Sequence, residues 1–164
     1  MKNVKNIVFD LGGVLIKWDP RNLYCKLFET SKEIDHFLEN VCTSDWNEKQ
    51  DAGRKLSEAP KELIEQFPHL EKYIKAYYDR WPEMLGGVYN KTQEILYSLK
   101  QKNEYKIYAL SNWSKETFPI AQARYKILHE FDGIVLSGEE GLIKPDSAFD
   151  HILLYRYDLK AKEC

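Results

Sequence analysis

The chain of 164 residues has only three cysteines, Cys25, Cys42 and Cys164, and none stands at the short spacing of a metal-binding pair. The four histidines are equally scattered, so a zinc centre is not expected and the thiols read as free in a reducing cytoplasm. No apolar run approaches the roughly 18 residues that cross a bilayer, which predicts no transmembrane helix. A first strand begins almost at the N-terminus, so no signal peptide is expected either. Neither sign of charge dominates: 24 basic against 26 acidic residues leave a net charge of −2, with no long block of either. That balance argues against a nucleic-acid partner bound by phosphate neutralisation, and against a membrane partner. Repeats and low-complexity segments are also missing.

What is present suits a globular chain, with 43% hydrophobic and 30% charged residues. Its length fits one domain, or one domain carrying a large insertion. Ile7-Val-Phe9 is a short run of β-branched and aromatic residues and reads as a buried strand. It stops in an acid, Asp10, with Gly12 and Gly13 directly after. A carboxylate at the carboxyl end of a central strand stands where open α/β sheets hold their ligands, and the glycines let the backbone turn close to it.

From Pro20 to about Gly86 the texture is helical, with Leu23, Leu27, Ile34, Phe37 and Leu38 at helical intervals, then Leu63, Ile64 and Phe67, then Tyr73, Ile74 and Tyr77. Gly86-Gly87 reads as a flexible joint closing that block. An amphipathic helix is predicted over 92–102, with Ile95, Leu96 and Leu99 on one face. Lys106 to Leu110 is a second buried strand, 115–126 a helix, Gly133 to Leu136 a third strand, and 147–155 a last helix. Alternation of strand and helix implies a parallel sheet with right-handed crossovers. The expected architecture is α/β: a Rossmann-like three-layer core from 1–17 and 88–164, with a helical cap of 18–87 inserted over Asp10.

The second strand also ends in chemistry, Ser111-Asn112-Trp113-Ser114. A hydroxyl followed by backbone N–H groups at a helix start suits an anionic oxygen, although Ser111 or Ser114 serves equally well as a helix cap. Lys144 precedes Pro145 and another helix, where it is either a solvated surface charge or a cation aimed at the same place.

Three ordered blocks make the chain resemble the haloacid dehalogenase superfamily, in particular its phosphatase-like members with a helical cap after the first strand. The blocks are Val8-Phe-Asp-Leu-Gly-Gly-Val-Leu15, then Ala109-Leu-Ser-Asn-Trp-Ser114 with Glu116-Thr-Phe118, then Phe131 to Gly138 running into Gly141-Leu-Ile-Lys-Pro-Asp146. The resemblance implies Asp10 as nucleophile, Ser111 as a transition-state donor and Lys144 as the balancing cation. It implies Mg2+ as cofactor, bound by Asp10 and the carbonyl of Gly12. It implies a small phosphorylated substrate contacted by Gly12, Gly13 and Asn112, with Trp46 and Asp51 as cap candidates.

Two departures stand against that pattern. Gly12 occupies the position where most phosphatases of the superfamily carry a general acid–base aspartate, so a water or a cap residue must supply the proton. Relatives also continue into a fourth strand that ends in metal-binding aspartates beside the first strand. The expectation is therefore a truncated chain, with strand one at an exposed edge and an incomplete metal site.

In the cap, Trp18, Trp46, Asp51, Trp81 and Met84 are possible pocket formers. The stretch Trp46 to Gly53 is the preferred one, read as a polar loop over a small substrate. The leading function is a Mg-dependent phosphatase on a small phosphorylated metabolite such as a sugar phosphate. A 2-haloacid dehalogenase is the alternative, since halide needs no proton to leave; it requires an arginine for the substrate carboxylate, and Arg21 and Arg54 are available. A non-catalytic fragment or interaction module is the third reading.

Overall fold

The computed structural model describes residues 4–164. In chain order it runs β1 (Asn6–Phe9), β2 (Ile16–Trp18), then the helices α1 (Arg21–Tyr24), α2 (Ser31–Asn40), α3 (Ser44–Asp51), α4 (Ala59–Gln66) and α5 (Glu71–Asp79). There follow β3 (Leu85–Val88), α6 (Asn90–Lys102), β4 (Lys106–Ser111), α7 (Phe118–Arg124), β5 (Gly133–Leu136), α8 (Ser137–Glu140) and α9 (Ser147–Arg156).

β4 lies between β1 and β5 in a parallel sheet, with Phe9 opposite Ala109 and Ser111 opposite Leu136. Its apolar run is buried on both sides from Ile107 to Ser111, as a central parallel strand requires. On one face Ala109 and Leu136 pack with Leu96 of α6 and Ala121 of α7. On the other, Tyr108, Leu110 and Val135 pack with Phe149 and Leu153 of α9. Helices on both faces of a parallel sheet give the three-layer α/β core.

β1 departs from the buried strand read in the sequence. It forms an edge of this sheet, and Val8 is 38% exposed because no strand of the described chain covers its outer side. The last residues return to this edge, where the Lys5 N–H donates to the carbonyl of Glu163 at 2.8 Å.

The block between β1 and α6 is helical apart from a short ribbon. The expected flexible joint at Gly86-Gly87 is instead β3, paired antiparallel with β2. Leu85 is buried in this ribbon, and Gly87 takes φ of +105°, which a glycine reaches without strain. The ribbon thus ties both ends of the helical block together.

Inside that block, aromatic rings hold the helices. Tyr24 and Phe37 lie 4.7 Å apart by ring centroids, Phe28 stacks on Tyr73 at 4.5 Å, and Trp46 meets Tyr77 edge-on at 5.0 Å. Each such pair adds about 0.5–1.5 kcal/mol beyond simple burial. α2 begins in a complete capping box, the Thr30 and Glu33 side chains each accepting from the other's backbone N–H.

Three further details differ from the sequence reading. The 46–53 stretch is not a loop, because the Thr43 hydroxyl accepts from the Trp46 N–H at 3.1 Å and starts α3 there. The helix expected over 115–126 shrinks to α7, since Thr117 and Phe118 both turn back onto the Ser114 carbonyl before Pro119 opens the helix. Ile95 is 55% exposed, because Leu96 takes the sheet-facing position of α6 and its neighbour is rotated by about 100°.

Candidate active site

Asp10 stands one residue beyond β1, beside the end of β4. One carboxylate oxygen accepts from the Leu11 N–H at 2.7 Å and from the Ser111 hydroxyl at 3.0 Å. The other faces the Lys144 ammonium at 2.8 Å. Register explains the first meeting: pairing Phe9 with Ala109 carries Asp10 and Ser111 past the sheet together.

Lys144 comes from the loop before α9 and is held at both ends. Its N–H donates to the Asn112 side-chain oxygen at 2.8 Å, and its carbonyl accepts from the Asn112 amide at 3.2 Å. Its ammonium also donates to the Leu110 carbonyl at 3.0 Å. The Asn112 amide is thus spent on fixing Lys144.

Gly12 and Gly13 make the turn after Asp10. Gly13 has φ of +75°, and the Gly13 N–H donates to the Ile16 carbonyl at 3.0 Å.

Next to this tip lies a cavity of about 210 Å³, whose lining includes Gly12 and Asn112 but not Asp10, Ser111 or Lys144. Its core-side wall is Gly12, Asn112, Trp113 and Ser114; its cap-side wall includes Asn47, Asp51, Tyr78 and Trp81, with Trp18 from the ribbon. Of the five cap candidates, the cavity therefore takes Trp18, Asp51 and Trp81. Trp46 is not among them. It is 4% exposed in the cap interior, and its indole N–H donates to the Ala59 carbonyl at 3.1 Å. Met84 is fully buried in the same core.

Asp51 is the cavity's carboxyl group. The Asn47 amide donates to it at 3.0 Å, the Tyr78 hydroxyl donates to Asn47 at 3.0 Å, and the Gln50 amide donates to Tyr78 at 2.9 Å. Burial pushes Asp51 up to about 7, Glu48 nearby adds to the rise, and a hydrogen bond from the Ser114 backbone opposes it. Its place at the carboxyl end of α3 favours the neutral form as well.

Several site residues escaped the sequence reading. Asn47 stands four residues before the expected Asp51 on one helix face, a spacing that the reading of 46–53 as a loop concealed. Ser137 stands inside the Phe131 to Gly138 block, but nothing local assigns it a role. Its hydroxyl donates to the Asp51 carbonyl at 2.6 Å and accepts from the Trp113 N–H at 2.9 Å, fastening cap to core. Gly138, next along, passes so close to the 113–115 backbone that an added Cβ would sit 2.5 Å from the Lys115 nitrogen. Only glycine fits there.

No protein-family model matches the chain, and no curated protein sequence matches it. Solved structures do. An HAD family enzyme of Bacteroides thetaiotaomicron in complex with magnesium is 23% identical, with 99% of this chain and 82% of that chain covered at a TM-score of 0.73. The same enzyme with magnesium and inorganic phosphate matches at 0.71, again 23% identical, over 98% and 82% of the two chains. The fold is that of the haloacid dehalogenase enzymes. L-2-haloacid dehalogenase of Xanthobacter autotrophicus, with chloropropionic acid covalently bound, matches over 98% of this chain and 67% of that one at 18% identity and a TM-score of 0.61. A predicted HAD-like hydrolase of Porphyromonas gingivalis matches at 21% identity over 98% and 80%, with a TM-score of 0.68.

Proposed function

We propose that the chain is a hydrolase with Asp10 as nucleophile, and that it acts on a small phosphorylated metabolite such as a sugar phosphate. The observation that carries this reading is the Asp10 carboxylate set between the Ser111 hydroxyl and the Lys144 ammonium, with a small cavity lined by the nearby Gly12 and Asn112. An Asp10 oxygen attacks phosphorus, the bond to the leaving oxygen breaks, and water later cleaves the acyl phosphate. Lys144 neutralises charge that would otherwise set the phosphoryl group against Asp10, and Ser111 donates to oxygen developing negative charge. The cavity's modest volume and its tryptophan faces suit a compact substrate with an apolar ring face.

Mg2+ belongs to this proposal. The chain's oxygen donors for it are Asp10 and the carbonyl of Gly12, which accepts no hydrogen bond from another described backbone group. Among the described residues no cluster of three or more His, Cys, Asp or Glu forms a metal cage. Magnesium keeps several waters and takes phosphate oxygens, so two protein ligands fit it, though as a weak site. When bound it would neutralise phosphoryl charge.

The dehalogenase alternative is less well supported. Arg21 pairs with Asp35 at the surface and Arg54 pairs with Glu62 at 2.7 Å, and neither lines the cavity. Among the described residues no arginine lines the cavity, where a substrate carboxylate would need one. Free Cys25, Cys42 and Cys164 accord with a cytoplasmic setting, and no helix of the described residues is long and apolar enough to cross a membrane.

The deciding experiment is hydrolysis of aryl and sugar phosphates with and without magnesium, beside 2-chloropropionate. Phosphate release that requires Asp10 supports the reading. Halide release without phosphate release replaces it with the dehalogenase, and neither activity leaves the non-catalytic module.

A further inference from the structure

We propose that Asp51, carried by the cap, is the proton donor and acceptor of the reaction, serving the leaving oxygen first and the attacking water second. The proposal rests on the phosphatase reading and adds to it a group that Gly12 cannot supply. An alkoxide is a poor leaving group, so its oxygen needs a proton as the bond to phosphorus breaks. Ser111 and Lys144 are already bound to Asp10, and Asn112 is spent on Lys144. Asp51 is the carboxyl group that lines the cavity, which it shares with Gly12, two residues past Asp10, and with Asn112, next to Ser111.

Its position is held twice. The side chain is fixed through Asn47, Tyr78 and Gln50, all inside the cap. The main chain is fixed to the core through Ser137, whose hydroxyl joins the Asp51 carbonyl to the Trp113 N–H. A carboxyl group so anchored keeps its distance from residues 112–114, as proton transfer demands.

The charge surroundings suit both steps. From the cap, Glu48 raises its proton affinity and Tyr77 and Tyr78 stand close enough to be raised in turn by Asp51. Arg54 acts one layer further out, on Gln50 and Tyr78. From the core, the Ser114 N–H opposes the rise, and the core residues lining the cavity carry no charge. With its titration near 7, both forms are populated at neutral pH. In the first step the phosphorus–oxygen bond breaks and the leaving oxygen takes the Asp51 proton. In the second the Asp51 carboxylate removes a proton from water, whose oxygen attacks phosphorus and releases Asp10.

The test compares kcat/KM of the full chain and of Asp51→Asn on two substrates, a hexose phosphate and 2,4-dinitrophenyl phosphate. The second has a leaving group that needs no proton. Asp51→Asn should lose about 10²- to 10⁴-fold on the hexose phosphate and far less on the dinitrophenyl ester. Equal losses on both, or no loss on either, would overturn the proposal. Turnover of the dinitrophenyl ester by the variant also certifies its fold. As a readout independent of turnover, a carboxyl carbon titrating near 7 in the NMR spectrum should vanish in Asp51→Asn, and its absence from the parent chain also overturns the proposal. If the parent chain hydrolyses neither phosphate, the phosphatase reading itself fails; if it hydrolyses both and Asp51→Asn shows no preference, only the role of Asp51 fails.

Discussion

The tip of the sheet and the cap each carry one carboxyl group of the candidate site, Asp10 next to the cavity and Asp51 in its lining, and they are held in opposite ways. Asp10 stands 38% exposed by side chain, with a lysine ammonium at 2.8 Å and two further donors. Asp51 has no cation against it; an amide and the cap's aromatic interior surround it, and burial pushes it up to about 7. An exposed carboxylate oxygen held against an ammonium is placed to attack, whereas a buried carboxyl without a counter-charge keeps its proton and can give it away. In the proposed mechanism one residue type thus takes two roles, set by environment.

The harshest break of the comparison is at Asp10. Asp10→Asn removes the attacking charge but keeps the size and most hydrogen bonds, so phosphate release should fall by about 10³-fold or more with thermal stability nearly unchanged. A steady-state assay beside a melting curve reads both, and a variant that keeps more than a few per cent of the rate removes Asp10 from the role. Lys144→Met keeps the stem and deletes the cation. We expect about 10²-fold lower kcat/KM, with the larger part of the loss in kcat. An unchanged kcat would mean that Lys144 only binds substrate.

Stability against pH sharpens the other half. Asp51 binds its proton more tightly folded, near 7, than unfolded, near the ordinary 3.8. Between those values the folded state holds more protons than the unfolded one, so stability falls as pH rises. The contribution is full below the unfolded value and lost once pH passes the folded one. Chemical denaturation from pH 4 to 8 should show this slope, worth a few kcal/mol (about 1.4 per pH unit of separation), and Asp51→Asn should flatten it. A parent chain and variant with parallel profiles would show that Asp51 is not buried in solution.

Ser137→Ala is the mildest. It leaves the Asp51 carbonyl and the Trp113 N–H without their shared partner, at a cost of about 1–3 kcal/mol in unfolding free energy. Because it loosens the cap carboxyl and spares the tip, it should reduce hexose phosphate turnover more than dinitrophenyl phosphate turnover. Equal effects would show that the latch positions the whole cap rather than Asp51.

Most of the sheet is legible in the amino-acid sequence. The runs at 7–9, 106–110 and 133–136 are apolar, short and bounded by turn residues, and each is a strand. Asp10, Ser111 and Lys144 can be singled out because each follows such a run or precedes a helix, where side chains gather at a sheet's carboxyl end. The cap is legible only as helical. Trp46 and Trp81 look alike in sequence, yet one faces Tyr77 in the interior and the other lines the cavity. Which way a helix face turns depends on partners far along the chain, and local periodicity carries no information about them. The ribbon of β2 and β3 is hidden for the same reason, since three- and four-residue strands 67 positions apart leave no periodic trace.

The sequence by itself determined the chain order of the three strands of the parallel sheet, the acid and hydroxyl at the ends of two of them and the lysine before the last helix, because these depend on neighbours within a few residues. Tertiary structure alone decided that Asp51 is buried in the lining it shares with Gly12 and that Ser137 ties it to Trp113. Desolvation is a property of everything that surrounds a group. The contacts that remove water from Asp51 join residues 51 and 137 and residues 47 and 78, and no short stretch of chain contains them.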